Sequence, residues 1–167
     1  PGGRTSVFSQ DGFTWDTGAT FFMYPRVLEE IFKSVGRSMQ EEIPMVKLDP
    51  HYRLVFGGGG EITASPDVDQ LKAEIARYCP EDAAGVDRFL ADNRRKLSAF
   101  KPVLERPFNG WRDLLRPDML KCLPLLRPAT SVEADLRRYF RDPRTRLAFS
   151  FQTKYLGMSP FRCPSLF

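Results

Sequence analysis

At Ser65 the hydrophobic period of the chain changes, and that change limits its architecture more than any other feature. Before it, apart from one helical stripe at 27–35, apolar residues alternate in short runs broken by glycine; after it they recur at three- and four-residue spacing. This order predicts an α+β fold in which β-hairpins come first and a mostly helical region follows, divided into residues 1–64 and 65–167.

The local signals fill in that outline. Thr5 to Phe8 and Phe13 to Asp16 read as strands around the turn Ser9-Gln10-Asp11-Gly12, with Phe13 and Trp15 on one face. Pro25 can open a helix whose stripe is Val27, Leu28, Ile31, Phe32 and Val35, and Gly36 can close it. Residues 45–48 and 51–56 alternate as strands do, and the run Gly57-Gly58-Gly59-Gly60 turns the chain toward Glu61-Ile62-Thr63-Ala64. Ser65 is expected to cap a helix beginning at Pro66, with Val68, Leu71 and Ile75 inside. Pro80-Glu81-Asp82 starts a longer one, with Val86, Phe89, Leu90, Leu97 and Phe100 as its apolar face. Beyond it, 111–126 is a proline-broken helical stretch, Thr130 and Glu133 form a capping box, and Asp142-Pro143 caps a last helix ending near Gly157.

Composition narrows the chemistry. The 167 residues suffice for a sizeable core, and 28% charged content is ordinary for a globular chain. No apolar run reaches the ~18 residues of a membrane span, and a first residue other than methionine suggests an internal piece of a longer protein. Three widely spaced cysteines and a single histidine, His51, give neither a disulfide framework nor a metal centre. His51 reads as a surface or hydrogen-bonded loop histidine, and the adjacent pairs Glu29/Glu30 and Glu41/Glu42 do not share a helix face for acid/base work.

The four-glycine run leads into a strand rather than a helix N-terminus, so it reads as a hairpin turn and not a phosphate loop. Arg94, Arg95, Lys96, Arg137, Arg138, Arg141, Arg144 and Arg146 alternate with Asp92, Asp135 and Asp142, the pattern of a solvated helix face; no nucleic-acid motif accompanies them. The stretch from Arg106 to Arg127 mixes Phe108, Trp111, Leu114 and Leu115 with basic residues, which suits a membrane interface as well as a helix pair with basic rims. The later aromatics Phe140, Phe149, Phe151, Tyr155, Phe161 and Phe167 fit core packing by default or the lining of an apolar tunnel, for which Phe149, Phe151, Tyr155 and Phe161 are the candidates.

The opening "PGGR", a hairpin, then "GFTWDTGAT" resembles the start of the phytoene (carotenoid) desaturase family of FAD-dependent enzymes. "FNGWRDLLRP", "YFRDPRTRLAFSFQTKYLGMSPF" and the closing "SLF" resemble the same family in order and spacing, so the similarity runs through the chain. The resemblance implies part of a larger Rossmann-type FAD-dependent fold, whose dinucleotide fingerprint lies in a segment ahead of PGGR.

On that resemblance, Gly2, Gly3 and Arg4 match the family's cofactor element, and Gly18, Ala19 and Thr20 its small-residue turn near the flavin ring. The implied reaction is dehydrogenation of a long-chain isoprenoid, a carotenoid precursor, with hydride transfer to FAD. The implied setting is the cytoplasm, peripherally on a membrane. Which residues are catalytic is left open. Rival readings are another amine-oxidase-superfamily flavoenzyme, such as a retinol saturase-like or squalene-derived isoprenoid oxidoreductase, and a membrane-binding interaction module without cofactor.

Overall fold

A computed structural model describes residues 2–3, 6–18, 22 and 25–165. Arg4, Thr5, Ala19, Thr20 and Phe167 lie outside the described residues. Contacts group the chain into two units, Pro1–Lys47 and Leu48–Phe167, so the division expected at Ala64 falls inside the second.

The first unit holds an antiparallel ribbon, β1 (Val7–Gln10) and β2 (Phe13–Asp16), then α1 (Pro25–Ser34) and α2 (Met39–Glu42). Gln10 pairs with Phe13, so the turn is the two residues Asp11-Gly12 rather than the four expected. Both adopt positive φ, 51° and 82°, the conformation of the tight hairpin turn that Asp-Gly favours because it matches strand twist. Phe8 and Trp15 stack across the ribbon at 5.7 Å. Gly36, at φ 71°, closes α1 as its position suggested.

Residues 45–48 form no strand. Pro44 and Pro50 flank them, each lacking an N–H to donate to a ladder, and the described residues supply no partner strand. In the second unit β3 (Tyr52–Val55) pairs antiparallel with β4 (Glu61–Ala64) around the glycine run. Tyr78 fastens this hairpin to the following helix: its hydroxyl donates to the Glu61 carbonyl and accepts from the Glu61 amide, each at 2.6 Å.

Helix α3 (Val68–Ala76) is capped by Asp67, whose carboxylate accepts from the amides of Asp69 and Gln70. The cap therefore lies two residues beyond the expected Ser65, whose hydroxyl instead donates to Asp49. Helix α4 (Pro80–Leu104) runs about 37 Å at 1.5 Å per residue. A 3₁₀ turn at Trp111–Leu115, α5 (Pro117–Leu126), α6 (Val132–Leu136), α7 (Pro143–Ser150) and a 3₁₀ segment Phe151–Leu156 complete the unit. Ser131, not Thr130, caps α6 by accepting from Ala134, and Asp142 caps α7 from Arg144 and Thr145.

The core is Ile75, Val86, Leu136 and Phe140, with Phe89 and Phe149 packed against it. Phe140 and Phe149 stack at 4.5 Å. Gly85 admits the closest approach: a Cβ there would stand 2.2 Å from the Tyr139 carbonyl oxygen. One turn ahead, buried Asp82 accepts from the amides of Arg141 and Asp142, pinning the segment between α6 and α7 to the start of α4.

The inner stripe of α4 corrects two expectations. Leu97 faces solvent, and Lys96, assigned to a solvated face, is buried at 7% exposure, as is its partner Asp135. Lys96 Nζ lies 3.2 Å from Asp92 and 3.0 Å from Asp135, while the Arg127 guanidinium reaches the same two carboxylates at 3.0 and 2.7 Å. Tyr139 donates to Asp92 and Ser165 to Asp135. Two cations thus meet two anions with hydroxyls filling the remaining positions, the condition under which ionic groups tolerate burial. Burial alone would raise the Asp135 carboxyl, but the Ser165 hydroxyl and the Lys96 and Arg127 charges hold it below the usual carboxylate range. Asp92 is likewise lowered, its desolvation outweighed by Tyr139 and Lys96.

Candidate functional site

The opening glycines lie at the free end of the first ribbon. The Gly3 carbonyl accepts from both the amide and the hydroxyl of Ser6, at 3.2 and 2.7 Å. The Ser6 carbonyl in turn accepts from the Thr17 amide and hydroxyl, at 3.0 and 2.8 Å. Gly18 follows Thr17 directly, at the same end of the ribbon as Ser6. Gly3 has φ 64°, and no atom stands within 4 Å of where a Cβ at Gly2 or Gly3 would be placed. The result is a bare backbone edge that a flat or phosphate-bearing group can approach closely. Of the six residues the resemblance assigns to FAD, Gly2, Gly3 and Gly18 are described; Arg4, Ala19 and Thr20 are not.

In the second unit a surface recess of about 400 Å³ opens between the β3–β4 hairpin and the last 3₁₀ segment. Leu54, Phe56, Leu147, Phe151, Lys154 and Met158 line it. Tyr52 stacks on Phe151 at 5.0 Å, and Lys154 Nζ sits 3.6 Å from the centre of the Phe151 ring. The ammonium thus rests on an aromatic face while its stem extends the apolar wall. Of the six aromatics considered for a tunnel, Phe151 lines the recess, Phe140 and Phe149 pack in the core, Tyr155 and Phe161 are exposed outside it, and Phe167 lies outside the described residues. The Leu54-Val55-Phe56 triplet before the glycine run was readable as a strand. Its pairing with residues almost a hundred positions later carries no sequence signal.

The third candidate surface is the 106–127 segment. Phe108, Trp111, Leu114 and Leu115 are all exposed, Trp111 by 68%. The local fold explains how: the Asp113 carboxylate accepts from the amides of Asn109 and Gly110, winding the tight turn that turns Trp111 and the leucines outward. Those amide bonds, chiefly from Asn109, hold Asp113 below its ordinary range. Arg112 lies 5.7 Å from the Trp111 ring, and Arg106 pairs with Asp118 at 2.5 Å. Beneath this surface Met119, Cys122 and Leu126 of α5 are buried, Cys122 donating to the Ala99 carbonyl of α4. The segment therefore combines an inner packed face with an outer apolar one rimmed by cations.

No group of three or more metal-binding side chains occurs among the described residues, and no helix there is long and apolar enough to cross a membrane. His51 is exposed, its amide bound to the Ala64 carbonyl at 2.8 Å.

No family model matches the chain. Individual relatives do. The chain is 37% identical over 166 residues to a 4,4'-diapophytoene desaturase (4,4'-diapolycopene-forming) of Methylomonas sp, covering 99% of this chain and 32% of that protein. It is 35% identical over 168 residues to a zeta-carotene-forming phytoene desaturase of Myxococcus xanthus, covering 100% of the chain and 32% of the relative. A lycopene-forming phytoene desaturase of Pseudescherichia vulneris is 34% identical over 170 residues, at 100% and 34% coverage. The chain thus spans about a third of the length of the curated relatives it matches. The resemblance carried by its opening and later motifs holds along its whole length, and the chain is similar to a stretch of the phytoene (carotenoid) desaturase family.

Proposed function

We propose that this chain is part of an FAD-dependent oxidoreductase that dehydrogenates a long-chain isoprenoid, a carotenoid precursor, at a membrane surface. The observation that carries the reading is the whole-chain similarity to desaturases combined with the open ribbon end, where Gly3 bonds to Ser6 and Ser6 to Thr17, the residue before Gly18. The residues described fit the cofactor: with no side chain at Gly2 or Gly3 and open space beside both, a flat or phosphate-bearing group can come close to the backbone. When bound, FAD supplies the two-electron acceptor for the hydride. Arg4, Ala19 and Thr20 are assigned to the same contact by their match to the family's motif.

The chain's own side chains supply surroundings rather than proton transfer. Leu54, Phe56, Phe151 and Met158 offer an apolar wall that excludes water from a hydrocarbon, while Phe149 supports it from the core and Tyr155 and Phe161 stand outside the recess. Phe108, Trp111, Leu114 and Leu115 supply an apolar face for the interfacial region of a bilayer, with Arg112 and Arg116 beside the headgroups. Peripheral attachment of this kind brings the enzyme to a substrate that dissolves only in lipid.

The exposed apolar face also favours a second reading, a membrane-binding module without cofactor. One experiment separates the two: purify the full-length protein and measure bound flavin by absorbance, then its conversion of phytoene in liposomes. Stoichiometric FAD, reduced in a Gly3→Val variant, supports the oxidoreductase. A protein that neither retains flavin nor takes it up on reconstitution, yet binds vesicles, is the module.

A further inference from the structure

A second recess, of about 330 Å³, lies where the start of α4 meets the segment after α6, and four arginines border it: Arg88, Arg137, Arg138 and Arg141, beside Glu81 and Asp82. The carboxylates are already committed. Asp82 spends both oxygens on the amides of Arg141 and Asp142, at 2.7 and 2.9 Å. Glu81 pairs with Arg141, and Arg137 is held by both oxygens of Glu133 at 2.8 Å. The two remaining guanidiniums are poorly matched. Arg88 reaches only a backbone carbonyl, Tyr139 O at 3.4 Å. Arg138 stands 3.8 Å from Asp135, whose oxygens already serve Lys96, Arg127 and Ser165.

Cations gathered around one concavity repel each other, and a multivalent oxyanion relieves that repulsion. The guanidinium fork matches two oxygens of a phosphate at once, which an ammonium cannot do. We propose that this recess binds a phosphate-bearing anion, with Arg88 and Arg138 as its principal ligands and Arg137 and Arg141 at the rim. The site is separate in chemistry from the apolar recess and from the glycine edge. Its ligand is either a soluble phosphate or diphosphate ester or the headgroup of an acidic phospholipid, since both present the same oxygens.

The test uses the full-length protein with its flavin, titrated calorimetrically with inorganic diphosphate at constant ionic strength. The double variant Arg88→Ala/Arg138→Ala should bind diphosphate at least about tenfold more weakly. The control Arg94→Ala/Arg95→Ala changes the net charge equally on the exposed side of α4 and should bind as the parent does. Arg88→Lys/Arg138→Lys, which keeps the charge but loses the fork, should fall between. Flotation with phosphatidylcholine vesicles, with and without phosphatidic acid, then assigns the source. A phosphatidic-acid dependence lost in the double alanine variant assigns the site to lipid headgroups; an unchanged vesicle response beside arginine-dependent diphosphate binding assigns it to a soluble ester. Three results overturn the proposal: no diphosphate binding at millimolar concentration, equal weakening by the control pair, or loss of flavin from the double alanine variant, which makes the arginines part of the cofactor's own contact.

Discussion

Lys96 Nζ and Asp135 Oδ2 lie 3.0 Å apart inside the helical unit, although 39 residues separate them in sequence. Removing either leaves the other side's charge buried with too few partners, and breaking such a pair costs about 3–5 kcal/mol. Asp135→Ala should therefore lower the urea midpoint strongly, whereas Lys96→Met/Asp135→Leu should recover part of the loss by replacing both charges with apolar volume. A double variant whose loss equals the sum of the Lys96→Met and Asp135→Leu losses would show that the pair is not coupled.

The same network sets an acid limit. Asp92 and Asp135 have folded-state pKa values below their unfolded ones. Their contribution is therefore fully present above about pH 4, the unfolded carboxylate value, and is lost as pH falls through the depressed folded values. Chemical denaturation followed from pH 6 to pH 2.5 should show stability dropping in the acid part of the range. Asp135→Asn should flatten that slope; a variant with the parent's slope assigns the acid sensitivity elsewhere.

Gly85→Ala tests the closest contact in the core. Alanine favours a helix over glycine by about 1 kcal/mol, but here its methyl would stand 2.2 Å from the Tyr139 carbonyl oxygen and 3.1 Å from the Phe140 ring. Overpacking wins. The thermal midpoint should fall by an amount corresponding to about 2 kcal/mol or more, and a gain in stability would mean that α4 and the segment after α6 sit farther apart.

Trp111→Glu, Leu114→Glu and Leu115→Glu address the outward face of the 106–127 segment. Since all three side chains are exposed, the changes should leave the thermal midpoint of the full-length protein nearly unaltered. Each should weaken partition into liposomes by about tenfold or more, because an apolar side chain contributes about 1.5–3 kcal/mol when buried in lipid. Unchanged partition, measured by flotation, would remove this face from the membrane contact.

The sequence made visible whatever depended on neighbours in the chain. Helices opened by Pro25, Pro80 and Pro143 begin at those residues, and the glycine run turns β3 into β4. Two caps fell one or two residues beyond the expected positions: Asp67 rather than Ser65, because its carboxylate reaches two amides, and Ser131 rather than Thr130, because it is the one that reaches Ala134. Asp92 and Lys96, four apart on a helix, carry the signature of a solvated pair, and only the approach of Arg127 and Asp135 from later helices puts them indoors. The two small-residue stretches were legible in the sequence, but the Ser6–Thr17 bonds that close the ribbon beside them were not. The apolar recess and the arginine recess are assembled from distant segments and had no local trace.

Every described side chain of β1 and β2 is exposed, including Phe8, Phe13 and Trp15. A two-stranded ribbon with water on both faces has little to hold it open or shut, and its aromatic surface is adhesive. In practical terms, this stretch should govern the colloidal behaviour of the isolated chain. Produced alone, the chain should self-associate through its first twenty residues and become tractable when detergent covers those rings.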